Sequence, residues 1–276
     1  MNLHDAIKVW YEKQTKRWTA AVAQDVARFH RKWVACWGAD KEVGAIEVGD
    51  VELLEQMCDT GISGARMNTI RTYLRMFLNY CRELGWGPEK DPTKLWKHRS
   101  TEVKREYAPL TRLEEERLCE VAPEWLRRFV RLAIGTGQRE GTIRQLTWEM
   151  VRPLESGGYM LEIPGALMKQ RKPHRVPLSQ KVMEALGAPG RGLLIPEMPS
   201  PQSVHATFKR YGRKAGINPL SSPHDLKRTT VQRLSDAGLP VQGIMALLGN
   251  RSMGVLIRHY CTALHLREAQ EAMDLV

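Results

Sequence analysis

The segment "GWGPEKDPTKLWKHRSTEVKREYAPL", residues 85–110, divides the chain more firmly than any other stretch. Its two glycines and three prolines interrupt any helix or strand that would cross it, because proline lacks an N–H and glycine costs backbone entropy. Dense charges between them deny it a core. We read residues 87–106 as an extended linker, with a helical first domain at 1–86 and a second domain at 107–276. At 276 residues the chain is long for one core and comfortable for two.

The first part reads as helical throughout. In "ARMNTIRTYLRMFLNYCREL" the apolar residues Met67, Ile70, Leu74, Phe77, Leu78, Cys81 and Leu84 recur at spacings of three and four, which aligns them on one helix face. The opposite face carries Arg66, Arg71, Arg75 and Arg82. Segments around 3–17 and 19–37 are helical as well, with Trp10, Trp18, Trp33 and Trp37 expected as packing residues rather than stacking platforms.

The second part starts near Tyr107. Thr111 followed by Glu114 is a capping-box pattern, and Leu110 stands where a hydrophobic staple would. An apolar helix from Trp125 to Ile134 runs into "GTGQREGTIRQLTWEMV". "GGYMLEI" and "HRVPL" read as short strands flanking the polar connection "PGALMKQRKP", and helices resume around 202–215, 225–237, 241–248 and near the carboxyl end. The fold class is mainly α with a small antiparallel sheet.

Charge and cysteine usage narrow the function. Lys plus Arg number 42 against 31 acidic residues, a formal net charge of +11, which favours a polyanionic partner because Lys and Arg displace counterions from phosphates. Lys97, His98, Arg99, Lys104 and Arg105 in the linker are candidates for such contacts. The five cysteines are odd in number and scattered, which argues against a disulfide framework or a zinc site and for buried reduced thiols. No apolar run is long enough for a bilayer span and the amino terminus lacks a signal-peptide core, so we expect a cytoplasmic, nucleoid-associated protein without membrane contact.

Signatures for nucleotide loops, zinc proteases, calcium loops and serine-hydrolase elbows are missing, so no cofactor and no metal is expected. What remains are cations, a histidine and a tyrosine: Arg139 after "GTGQ", Lys169 in the β-connection, the cluster His224, Lys227 and Arg228, and Tyr260 beside His259. A tyrosine hydroxyl can attack a phosphodiester covalently, and cations stabilise the charge that builds on phosphoryl oxygens. A lysine can protonate the leaving sugar oxygen.

From about residue 107 to 268 these residues fall in boxes that resemble the catalytic domain of the tyrosine recombinases, the phage integrase family. "TGQREG" is similar to the T-G-x-R box and places Arg139 as its first arginine. "KQRKPHRVPL" resembles the β-hairpin whose lysine stands seven positions before the valine, here Lys169. "HDLKRT" resembles the H-x-x-R box, "LLGNRS" the L-G-H box, and "RHYCTA" the nucleophile segment with Tyr260. Residues 1–85 resemble the family's helical core-binding domain more loosely, chiefly through the 66–84 helix.

Three positions depart from the pattern. Lys227 stands where the second arginine is usual, Asn250 where the L-G-H histidine is, and Thr142 where an acidic residue is frequent. Lysine offers a point charge in place of a planar fork, and Asn250 donates a hydrogen bond without carrying a proton-linked charge. Arg228 and His259 are accessory candidates, although adjacent helical positions point about 100° apart. The resemblance implies a site-specific recombinase acting on double-stranded DNA through a 3′-phosphotyrosyl link, with Tyr260 as nucleophile, Lys169 as general acid, Arg139, Lys227 and Asn250 on phosphate oxygens, and His224 assisting. It also implies a tetramer on DNA, with DNA-bending accessory factors compatible with it. The alternative is a recombinase-fold DNA-binding regulator whose cleavage is weak or lost. A type IB topoisomerase-like enzyme would share the chemistry, but the "HRVPL" and "LLGNRS" boxes favour a recombinase.

Overall fold

A computed structural model describes residues 1–59, 61–94, 96, 109–168, 170–218, 222–249 and 273. The chain splits into two compact units, Met1–Arg105 and Glu106–Val276.

The first unit packs four helices, α1 (Leu3–Thr15), α2 (Ala20–Trp37), α3 (Val48–Cys58) and α4 (Gly64–Glu83), around one core. Side-chain caps start three of them: Asn2 accepts from the Asp5 N–H, Thr19 from Val22 and Ser63 from Arg66. Each satisfies one of the donors that a helix start leaves without an intrahelical partner. Trp10 and Trp33 are fully buried, and Trp18 and Trp37 pack against the same core, as expected of packing residues.

Along α4 the expected stripe is buried, except that Leu84 falls just past the helix and is 42% exposed. The arginine face is not a free cationic surface. Arg66 makes paired bonds of 3.0 and 3.1 Å to Asp25, Arg71 is buried against Glu55, and Arg75 bonds both the hydroxyl and the carbonyl of Thr93. Within the stretch read as a linker, Thr93 is fully buried and Trp96 packs on this core beneath the Arg71 guanidinium. Lys97, His98, Arg99, Lys104 and Arg105 lie outside the described residues.

The second unit begins with α5 (Arg112–Val121), opened by the expected Thr111–Glu114 capping box. There follow α6 (Glu124–Thr136), the short α7 (Glu140–Ile143), an antiparallel sheet of β1 (Val151–Pro153), β2 (Tyr159–Ile163) and β3 (His174–Leu178) in that order, then α8 (Gln180–Leu186), α9 (Pro201–Lys214), α10 (Asp225–Asp236) and α11 (Val241–Leu248). In the sheet Leu161 pairs with Val176, and both are fully buried in the core beneath α6. Glu115 of α5, itself 2% exposed, pairs with Arg131 of α6 and Arg233 of α10, and so joins three helices through one carboxylate. The Thr230 hydroxyl of α10 donates to the Ile134 carbonyl at 2.8 Å, which docks α10 on the last turn of α6.

The thiols of Cys58, Cys81 and Cys119 are buried and free, and that of Cys36 is half-buried. Burial pushes Cys81 up to about 12 and Cys119 to about 11, far from the thiolate range. No helix among the described residues is long and apolar enough to cross a membrane.

Candidate functional site

The site grows from the end of α6. Gly137 adopts the left-handed conformation (φ +62°) that closes the helix, and a Cβ there would collide with Leu248 of α11. The reversal puts Arg139 at the N-cap of α7, where its side chain is exposed.

The second arm is the start of α10. Asp225 accepts from both the backbone N–H (2.7 Å) and the hydroxyl (2.8 Å) of Ser222, so the helix entry is held by its own first residue. His224 caps the helix at the surface. Its pKa is lowered, first by desolvation of the ring, then by Arg228, Arg139 and Lys227, with Asp225 opposing. The first arginine, the histidine and the lysine therefore share one electrostatic neighbourhood, although 85 residues separate Arg139 from His224 (224 − 139).

Lys227 points inward. It is 2% exposed, and its Nζ lies 3.5 Å from the Leu248 carbonyl oxygen. Burial and, next, the Arg139 charge bring its pKa down to about 8. Arg228, on the adjacent position, has its guanidinium 3.5 Å from Asp225 and its charge acts on His224 as well. Thr142 sits within α7, one turn past Arg139.

Two residues that sequence reasoning passed over also face this site. His174, the first residue of β3, places Nε2 3.0 Å from the Leu247 carbonyl, and the Gln170 amide donates to the Gly249 carbonyl. Burial lowers the His174 pKa, the carbonyl contact opposes that, and Lys227 lowers it further. The signal for His174 was in the strand's alternation: His174, Val176 and Leu178 share the inward face. Lys169, Asn250, His259 and Tyr260 lie outside the described residues, as does the carboxyl tail apart from the exposed Met273.

A family model described as the Phage integrase family matches residues 109–266. Tyrosine recombinase XerA of Pyrococcus furiosus is 37% identical over 78 residues, and its counterpart from Pyrococcus horikoshii 33%. Each match covers 28% of this chain and 27% of the relative, so the chain matches about a quarter of those proteins' length. Among solved structures, a lambda integrase dimer bound to a COC′ core site superposes with a TM-score of 0.73 at 19% identity, covering 95% of this chain and 79% of that one. The Tn1549 transposon integrase in complex with transposon right end DNA gives 0.70 at 16% identity, covering 100% of this chain and 99% of that one. The fold likeness thus extends over both units, while the family match lies within the second and takes in Arg139, His224 and Lys227. The family match takes in more than half of the chain, and the chain belongs to the phage integrase family of tyrosine recombinases.

Proposed function

We propose that this protein is a site-specific recombinase that cleaves and rejoins double-stranded DNA through a 3′-phosphotyrosyl intermediate. The observation that carries the reading is the approach of Arg139, His224 and Lys227 to one another, close enough that their charges act on each other, backed by the α6–α11 contact. Three groups able to donate to a phosphate, one from the start of α7 and two from the start of α10, suit an attacked phosphodiester, because negative charge grows on its nonbridging oxygens.

In this mechanism the Tyr260 oxygen attacks phosphorus and its proton passes to His224 or to water that His224 orients. A ring held below the ordinary histidine value is in its neutral form near neutrality, with a lone pair available to a proton. Arg139, Lys227 and Asn250 hold the nonbridging oxygens. The bond to the 5′-oxygen breaks, and that oxygen takes a proton from the Lys169 ammonium. Rejoining reverses each transfer, and the phosphotyrosyl link conserves the bond energy. Lys227 supplies a single charge in place of a fork, and losing one transition-state donor costs about 10²–10³ in rate, so cleavage is expected to be slow. Strand exchange would bring four protomers to two duplexes, in the cytoplasm and on the nucleoid.

The test uses nicked suicide duplexes drawn from the DNA flanking the encoding gene. A covalent protein–DNA adduct should form with the wild-type chain and vanish in Tyr260→Phe. Specific binding without adduct would instead establish a DNA-binding regulator, a reading that no described feature favours.

A further inference from the structure

The last carbonyls of a helix have no intrahelical donors, and something else must satisfy them. At the end of α11 three successive carbonyls are each met by a side chain from a different place: Leu247 by His174 of β3, Leu248 by Lys227 of α10, and Gly249 by Gln170 of the β2–β3 connection. A carbonyl only accepts, so Nε2 of His174 carries the proton and donates. Gly249 itself is left-handed (φ +62°), and a Cβ there would stand 3.2 Å from the Met168 methyl and 3.3 Å from the His174 ring. The β-hairpin and the helix end therefore interlock at close range on both sides of residue 169, with Met168 before it and Gln170 and His174 after it.

We propose that His174 is a positioning residue that ties the hairpin bearing Lys169 to the α11 terminus leading into Asn250, so that the general acid stands where the 5′-oxygen leaves. The proposal rests on the strand-cleavage reading above. It says that His174 acts through Lys169 and through no contact of its own with DNA. Its effect must therefore depend on whether the leaving atom needs a proton. When the 5′-oxygen departs, the P–O bond breaks and the oxygen takes the lysine proton. When a sulfur replaces that oxygen, the P–S bond breaks and the thiolate leaves unprotonated.

The experiment compares suicide duplexes with a bridging 5′-oxygen or a bridging 5′-sulfur at the same candidate sites, under single turnover with saturating full-length protein. His174→Ala should slow adduct formation on the oxygen substrate by about 10–100-fold, the scale of a misplaced catalytic group, with the DNA half-saturation unchanged. On the sulfur substrate it should return to within about threefold of wild type, as Lys169→Ala should. Should alanine unfold the chain, the comparison moves to His174→Gln, whose amide nitrogen reaches the place of Nε2, and His174→Asn, whose amide falls short. Gln should then keep the oxygen rate, while Asn should lose it and regain activity with sulfur. Equal losses on both substrates, or no loss on either, overturn the role of His174 while leaving strand cleavage standing. A wild-type chain that forms no adduct on either substrate overturns the cleavage reading and this inference with it.

Discussion

The ammonium of Lys227 lies 3.5 Å from the carbonyl oxygen of Leu248 and is 2% exposed, so the second cation of the site is sheltered by the element that leads to Asn250. A lysine so placed sits at a cost when protonated, because burial and Arg139 both disfavour its charge.

That cost sets the first prediction. Lys227→Met should stabilise the chain at pH 7 while reducing cleavage by about 10²-fold or more. The shift from 10.5 to about 8 bounds the gain at roughly 3 kcal/mol, less whatever the freed Leu248 carbonyl loses. Urea melts and adduct rates on the same samples check both halves. The sign follows from the lowered folded value: the penalty is full below about 8 and fades as pH rises towards 10.5, so the wild type should gain relative to Lys227→Met over that window.

DNA binding should take up a proton near pH 8. With a free value of about 8, roughly half of the Lys227 side chains lack the proton there, and a phosphate bound beside it raises the value again. Calorimetry in buffers of different ionisation enthalpy measures the uptake. Lys227→Arg should abolish it, since a guanidinium keeps its proton, and should speed cleavage if the fork fits the phosphate.

Removing the carboxylate that joins three helices should cost far more than removing a surface one. Glu115→Ala leaves Arg131 and Arg233 facing a buried gap, and should destabilise the second unit by about 3–5 kcal/mol, the usual penalty for breaking a buried pair. Denaturant unfolding reports it. Glu155→Ala, at an exposed turn, is the control and should lie within about 0.5 kcal/mol of wild type.

The first unit should weaken in mild acid. His30 is 7% exposed among Trp10, Tyr11 and Trp33, and burial lowers its pKa to about 4. The unfolded chain binds a proton below about 6.5 that the folded chain refuses until about 4, so stability should fall across that interval by up to roughly 3 kcal/mol. Tryptophan fluorescence melts between pH 7 and 4 follow it, and His30→Phe should flatten the slope.

How far the fold and the site could be read in advance depended on the range of the interactions involved. The α4 stripe and the Thr111–Glu114 box are written within one or two turns, and both were legible. Helix α3 falls within the part read as helical but is not delimited there, because the exposed Leu53 and Met57 blur the buried stripe of Val51, Leu54 and Cys58. Strand β1, at three residues, is too short to show alternation. The partners of Arg66, Arg71 and Arg75 lie 16 to 41 residues away, so a face that reads as basic is largely engaged within its own unit, two of these arginines with acids and one with Thr93. Within the candidate site, Arg139 and His224 stand in boxes that are local in the sequence. That Lys227 is buried, and that His174 meets Leu247, depend on α11 packing against distant elements.

Gly137 and Gly249 belong to the two boxes that look most like chemistry, yet each is empty so that a neighbour can fit: Leu248 against the first, Met168 and His174 against the second. The cations around them are the working parts, while the glycines form the joint on which those parts are mounted. An engineer who wished to retune this protein for another phosphoryl transfer would vary Lys227 or Asn250 and read the change in rate, but a single methyl group at either glycine would shift the workbench itself.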